Sequence, residues 1–251
     1  MSTPYFSIVI PAYNEERRLP FTLEKILAYL DQQSFSSEIL VVENGSQDRT
    51  LAIAQEFAGH YASVRALHED ERGKGRAVSR GMLEARGEYR FMCDADLSMP
   101  IEELSHFLAL APRGFDIAIA SREAPGAIRY HEPIYRHIGG RVINLMIRIL
   151  ALPGLQDTQC GFKCFRAQVA EDLFPRLTLG GWSFDVELLY IARLRGYRIQ
   201  EVPIQWYFSA ESKISPVGDA MQMGLDLLAI RRNARLGLYQ AHENQNPRLE
   251  L

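Results

Sequence analysis

Short apolar runs alternate with amphipathic stretches through the first half of the chain. Phe6-Ser7-Ile8-Val9-Ile10 and Ile39-Leu40-Val41-Val42 are nearly continuous apolar segments, the pattern of strands buried on both faces. The alternation predicts strands at 5–11, 38–43, 63–68, 89–94 and 115–121, separated by helices at 17–33, 47–60, 74–86 and 101–110. Pro100 stands where a first-turn proline is tolerated, and Glu102 and Glu103 suit the positive end of the helix that follows. Strands and helices in strict alternation imply an α/β fold with a mostly parallel sheet flanked by helices on both faces.

After Arg122 the pattern changes. Residues 122–137 gather Arg122, Arg129, His131, Arg136 and His137 among prolines and glycines, which predicts a long loop with local positive charge. Then come a helix through 134–152, a turn at Pro153-Gly154, helices near 167–175 and 183–195, a strand at 198–207 and an amphipathic helix at 216–237. The expected organisation is one domain over 1–239, with halves at 5–121 and 122–239, and a polar tail over 240–251.

Composition narrows the class. At 251 residues and 47% hydrophobic content the chain can bury an ordinary core. A net charge of −3 gives no bulk footprint for nucleic acid. Three cysteines, Cys93, Cys160 and Cys164, form no CxxC pair and read as reduced core thiols of a cytosolic protein. No basic segment followed by a long apolar one opens the chain, so no secretory signal is expected. The stretch Val142 to Leu152 carries Asn144 and Arg148 and falls short of the roughly 20 apolar residues needed to span a bilayer.

The richest chemistry is Asp94-Ala95-Asp96, directly after the apolar run Tyr89-Arg90-Phe91-Met92. A strand ending there delivers two carboxylates to its carboxyl edge, where open α/β sheets bind ligands. A carboxylate in that position can hold a hard divalent cation whose other ligands are phosphate oxygens, which points to a diphosphate-activated substrate. Upstream, Pro11-Ala12-Tyr13-Asn14-Glu15 follows the first strand and Glu43-Asn44-Gly45-Ser46-Gln47-Asp48-Arg49-Thr50 follows the second.

With these motifs the chain resembles the inverting family 2 glycosyltransferases of GT-A fold. Asp157-Thr158-Gln159-Cys160-Gly161-Phe162-Lys163 and Trp182-Ser183-Phe184-Asp185-Val186-Glu187 resemble the dolichyl-phosphate glucosyltransferases and related polyprenyl-phosphate sugar transferases in particular. The resemblance runs over roughly residues 5 to 237, as read from motif placement. It implies a GT-A domain, a nucleotide-binding half followed by an acceptor half. The implied activity is transfer of a hexose, glucose from UDP-glucose, to a polyprenyl or dolichyl phosphate. A GDP-mannose donor and a glycan hydroxyl acceptor are the alternatives, and a non-catalytic nucleotide-sugar-binding subunit is disfavoured by the intact Asp94, Asp96 and Arg122.

The resemblance also assigns roles. Asp96 becomes the principal ligand of Mg²⁺ or Mn²⁺, with Asp94 orienting ribose and metal, while Ser98 stands where mannosyl relatives carry Gln. Pro11, Tyr13, Glu15, Glu43 and Gly45 fall in the nucleotide segment, and Asp48 is read as a helix cap. Lys74, within Arg72-Gly73-Lys74-Gly75-Arg76, lies beside the donor; Lys213 belongs to a segment that closes over the pyrophosphate. Arg122 and Arg136 serve the acceptor phosphate or the donor diphosphate, since a guanidinium fork suits phosphate. Asp157, Gln159 and Lys163 shape the sugar and acceptor side. Asp185 is either the general base of a hydroxyl-using enzyme or a structural carboxylate. The expected partners are a nucleotide-diphosphate sugar, a polyprenyl phosphate and the cytoplasmic face of a membrane, bound peripherally through the 134–152 helix and the arginine-rich last helix. The alternative readings of that apolar helix are a core helix buried all round or a homodimer contact, and a membrane-protein partner is the other route to anchoring.

Overall fold

The computed structural model describes residues 3–111, 114–208 and 216–240, with side chains in the last segment described from residue 221. Seven strands form the central sheet: β1 (Phe6–Ala12), β2 (Ser37–Glu43), β3 (Val64–His68), β4 (Tyr89–Met92), β5 (Ile117–Ser121), β7 (Lys163–Arg166) and β8 (Ile199–Pro203). Their order is β3-β2-β1-β4-β7-β5-β8. Pairs β1–β2, β1–β4, β2–β3 and β5–β8 are parallel, whereas β7 runs antiparallel to both neighbours, β4 and β5. Two further strands, β6 (Ile128–Tyr130) and β9 (Gln205–Tyr207), pair in parallel as a separate ribbon.

Alternation along each strand sends side chains to two cores. Ile8, Ile10, Ile39, Val41 and Phe91 face a layer made by α1 (Leu19–Asp31), α2 (Thr50–His60) and α4 (Leu104–Leu108). Val9, Leu40, Val42, Met92, Ile117 and Phe165 face α3 (Lys74–Glu84), α5 (Ile134–Leu150), α6 (Ala167–Leu173), α7 (Phe184–Leu194) and α8 (Pro216–Arg235). Burial on both faces is why these strands read as apolar runs rather than as alternating ones.

Most expected elements are present, with three differences. The antiparallel strand β7 was not anticipated: four residues, Lys-Cys-Phe-Arg, give no periodicity to read. The expected strand 198–207 is two strands, because Ile204 ends the pairing with β5 and the chain turns to meet β6, itself set within the expected loop 122–137. The helix at 101–110 is a 3₁₀ turn, Ile101–Glu103, leading into α4.

Helix α3 lies unusually close to the sheet. A Cβ at Gly81 would come 2.3 Å from Val9 Cγ1 and 2.8 Å from Val42 Cγ2. Gly81→Ala gains about 1 kcal/mol of helix propensity but overpacks a site where both valines are buried, at a cost of about 1–3 kcal/mol. The expected outcome is a net loss of stability in urea unfolding.

Candidate active site

Parallel strands β1, β2, β4 and β5 end at one edge, and β7, running the other way, begins there. In the ladder Lys163 stands opposite Met92 of β4 and Ile119 of β5. The segment Asp157–Phe162 therefore enters beside Asp94 and Asp96, which leave β4 at the same edge. Gly161 makes that approach possible, since a Cβ there would sit 1.9 Å from Asp94 Oδ2. The loop after β4 is held from the other side by α1, where Thr22 Oγ1 donates to Ala95 O at 2.6 Å. Leu97, next in line, adopts a left-handed φ of 45°, a conformation uncommon for a residue with a side chain.

Charge is concentrated here. Lys74 Nζ, from the first residue of α3, lies 2.6 Å from Asp94 Oδ1. Burial works against its charge, yet Asp94, Asp185 and Asp96 around it hold the ammonium pKa above its ordinary value. Lys163 is fully buried; its Nζ donates to Cys160 O at 2.6 Å and lies 2.7 Å from Asp185 Oδ1. Burial raises the Asp185 carboxyl pKa, and Lys163 and Lys74 only partly offset that effect. Asp96 accepts from Ser98 N at 3.0 Å and, among the described residues, enters no ion pair. Asp96 is exposed on one side; the protein crowding its other side and the neighbouring Asp94 push its carboxyl up, and the Ser98 hydrogen bond and Lys74 partly offset that.

This donor set fits Mg²⁺ or Mn²⁺ as a partial site. Two carboxylates flank Ala95, and one of them, Asp96, is exposed and in no ion pair among the described residues. Among the described residues no group of three or more His, Cys, Asp or Glu side chains is placed to hold a metal ion. A cation there takes its remaining ligands from water and phosphate oxygens, as Mg²⁺ habitually does.

The ends of β1 and β2 form a second cluster. Asn14, at φ 52°, donates from its N–H to Ser46 Oγ at 3.0 Å and accepts from Gln47 N at 2.8 Å. The turn after β1, residues 13–15, is thereby bound to the Gly45–Ser46 turn, and Pro11 sits within the strand opposite Val42. Glu15 pairs with Arg18 at 2.6 Å, and Arg72 lies over the Tyr13 ring, 5.4 Å from its centroid, alongside Gly45. Buried Glu43 accepts from Ser46 N and pairs with His68 at 2.7 Å. The hydrogen bond to Glu43 raises the His68 pKa. Asp48 accepts from Thr50 N at 3.0 Å and Glu16 N at 3.1 Å, so it caps and ties the start of α2.

At the β5–β7 side, Arg122 lays its fork on Asp157, at 2.6 Å for Nε to Oδ2 and 2.9 Å for Nη2 to Oδ1, and its backbone N–H donates to the same carboxylate at 3.0 Å. Two of its donors are therefore directed at Asp157 rather than at an open cleft. Gln159 N donates to Asp157 Oδ1 at 3.4 Å. Trp206 sits beneath both Arg122 and Arg129, and Arg129 pairs with Glu123 and Glu132. Arg136, in the first turn of α5, lies over Phe208, and the neighbouring Tyr207 N donates to Ser98 O at 2.7 Å. That bond ties the end of β9 to the Asp96 loop.

The structure thus brings Lys74, Asp94, Asp96, Lys163 and Asp185 into one cluster, with the Tyr13–Glu43 and Arg122–Asp157 groups at neighbouring strand ends. Lys213 lies outside the described residues. Glu187 is structural: Thr178 N and Leu179 N donate to it at 3.0 and 2.8 Å, and Tyr239 Oη at 2.7 Å. The glycines around Lys74 do not open amides to an anion at residue 75, because Gly75 N donates to Gly180 O at 3.0 Å. Sequence reading passed over His68 and Trp206, and quoted Arg72 and Trp182 within motifs without giving either a role of its own. Of these, His68 carried a signal, since it ends β3 directly opposite Glu43.

Asp157→Asn leaves Arg122 beside a neutral amide and is expected to cost about 3–5 kcal/mol, the usual penalty for breaking a buried pair. Burial raises the Asp157 carboxyl pKa, but Arg122 and Arg129 lower it further, so its folded pKa is depressed. The pair's stabilisation is therefore present above the ordinary carboxylate pKa of about 4 and is lost as pH falls through the lowered value. Urea midpoints measured from pH 7 downward should show wild type losing its advantage over the Asn variant in acid.

The comparisons with known proteins accord with this arrangement. The Glycosyl transferase family 2 profile matches residues 7–174. A dolichyl-phosphate beta-glucosyltransferase of Drosophila melanogaster is 37% identical over 243 residues, covering 89% of this chain and 73% of that protein. The Homo sapiens dolichyl-phosphate beta-glucosyltransferase is 34% identical over 262 residues, covering 97% and 80%. Among solved structures, glucosyl-3-phosphoglycerate synthase from Mycobacterium tuberculosis, in complex with Mn²⁺, UDP-glucose and phosphoglyceric acid, superposes with a TM-score of 0.66 at 18% identity, covering 93% of this chain and 80% of that one. Mannosyl-3-phosphoglycerate synthase from Rubrobacter xylanophilus gives 0.69 at 17% identity, covering 98% and 79%. At such identities the likeness establishes the fold, which is GT-A.

Proposed function

The chain belongs to glycosyl transferase family 2, and from that premise we propose that it transfers glucose from UDP-glucose to a polyprenyl phosphate of the dolichyl type, with inversion at the anomeric carbon. The observation that carries the reading is the exposed carboxylate Asp96, in no ion pair among the described residues, beside Asp94 at the edge where β4 ends. Dolichyl-phosphate beta-glucosyltransferases related over most of the chain support the acceptor and the sugar.

The acceptor phosphate brings its own negative charge, since the second pKa of a phosphate monoester is about 6. Its oxygen attacks C1 of the sugar as the bond from C1 to the diphosphate breaks and the electron pair leaves on the diphosphate. Asp96 and Asp94 would hold Mg²⁺ or Mn²⁺, which neutralises charge developing on that leaving group. Arg136, next to the β9 end that is tied to Ser98, is assigned to the acceptor phosphate. Arg122 acts by fixing Asp157 and with it the entry into β7. Tyr13, Glu15, Glu43 and Gly45 frame the nucleotide. A hydroxyl acceptor with Asp185 as base is disfavoured, because Asp185 is 3% exposed and lies against Lys163.

A lipid acceptor requires a surface that meets the membrane. Helix α5 exposes Ile134, Tyr135, Ile138, Val142, Leu145 and Ile149, and α8, which contacts it, exposes Met221, Leu225 and Leu228. Arg141 is exposed on α5, and Arg232 and Arg235 lie in the last turn of α8. Apolar residues flanked by arginines suit a helix lying in the interface. No helix among the described residues is long and apolar enough to cross a membrane. Ile147, within the same apolar stretch, is fully buried and belongs to the core rather than to that face. The three buried, unpaired cysteines suit the reducing cytoplasmic side.

The direct test is a panel of UDP- and GDP-sugars offered with a short polyprenyl phosphate, read by product mass. UDP-glucose should give the glucosylated lipid; product from GDP-mannose alone would reassign the donor, and no lipid product from any donor would overturn the reading. Asp96→Asn should lower turnover by about 10²–10³-fold, corresponding to several kcal/mol of lost charge stabilisation, while the protein stays folded. Anionic liposomes should retain the protein less as salt rises, and Leu145→Glu should weaken that binding without loss of fold. Absence of binding to such liposomes would count against the docking face.

A further inference from the structure

Lys74 occupies an unusual place for a residue expected to serve the donor. Its ammonium is in contact with Asp94 at 2.6 Å, the carboxylate that the donor's metal would share with Asp96. The same ammonium lies 5.2 Å from the centroid of the Trp182 ring, an aromatic face that attracts cations. Its backbone is fixed: Gly75 N donates to Gly180 O and Ala77 N to Gly73 O, at 3.0 and 3.1 Å. Only the four-carbon stem is left to move. Its side chain is 15% exposed, so the charge cannot retreat into bulk water and must keep a partner nearby. An ammonium and a divalent cation repel each other, so each weakens the other's hold on Asp94.

We propose that Lys74 is an exchangeable internal counter-ion: it neutralises Asp94 while the cleft is empty, competes there with the divalent cation, and passes to the phosphate oxygens of an arriving nucleotide. Cation and nucleotide then bind synergistically, because the nucleotide draws away the charge that opposes the cation. The Trp182 ring supports the ammonium during the exchange. Lys74 is in this sense a positioning residue that sets the order and coupling of binding, a role beyond donor contact. The inference rests on the donor reading given above.

The test is Mn²⁺ affinity, followed by electron paramagnetic resonance of the free ion, for wild type, Lys74→Met and Lys74→Arg, each with and without UDP. Wild type should bind Mn²⁺ weakly alone and about tenfold or more tightly with UDP, within the usual range of coupling between sites. Lys74→Met should bind Mn²⁺ alone about tenfold more tightly than wild type and lose most of the UDP effect; Lys74→Arg should keep the wild-type pattern. Thermal melts establish that each variant is folded, and Lys74→Gln replaces the Met variant if that one is not. Equal or weaker Mn²⁺ binding by the neutral variant overturns the proposal, as does a failure of both proteins to bind Mn²⁺. If neither UDP nor GDP binds wild type, the donor reading fails, while the comparison with metal alone still decides whether Lys74 competes.

Discussion

Parallel strands end at a common edge, and a strand that joins them in the opposite direction must begin there. That constraint shapes the site. Because β7 is antiparallel between β4 and β5, the chain arriving at its start is forced past the carboxylates leaving β4. Asp157, Gly161 and Lys163 come to the cleft by topology, from a part of the chain far from Asp94 and Asp96. The close packing of Gly161 on Asp94 follows from the same geometry.

The charges delivered there set the chemistry. Asp94, Asp96 and Asp185 face Lys74 and Lys163, and buried charges persist only where partners offset their dehydration. Asp94 and Asp185 are in direct contact with such partners, whereas Asp96 is exposed, enters no ion pair among the described residues and feels Lys74 only at a distance. Asp96 is therefore the carboxylate open to a divalent cation, whose remaining ligands a diphosphate would supply. The Arg122–Asp157 pair sits apart from this imbalance, and its bidentate geometry serves rigidity at the strand edge. A cleft organised around held cations and an acceptor that arrives ionised has little use for a protein base.

Much of the fold was legible because strands buried on both faces leave apolar runs, and Asp94-Ala95-Asp96 was legible because it follows one of them. The strand β7 was not, since four residues between loops carry no period. The pairings of Lys74 with Asp94 and Lys163 with Asp185 were also hidden. They join residues 20 and 22 positions apart across separate elements, and Lys163 opens β7 itself. Within the apolar stretch from Val142 to Leu152, only packing separates Ile147 and Asn144, which face inward, from Val142 and Leu145, which do not.

The central claim is that the nucleophile comes ionised with the acceptor and that the protein contributes cations and position. The acid limb of the pH dependence of single-turnover transfer tests it most directly. It would be measured with a polyprenyl phosphate and with an α-fluorinated phosphonate analogue whose second ionisation lies lower. The account predicts a limb near pH 6 for the phosphate, its second pKa being about 6, and a limb that moves down with the analogue. A limb that stays fixed when the acceptor is changed would contradict the account and place the essential base on the protein.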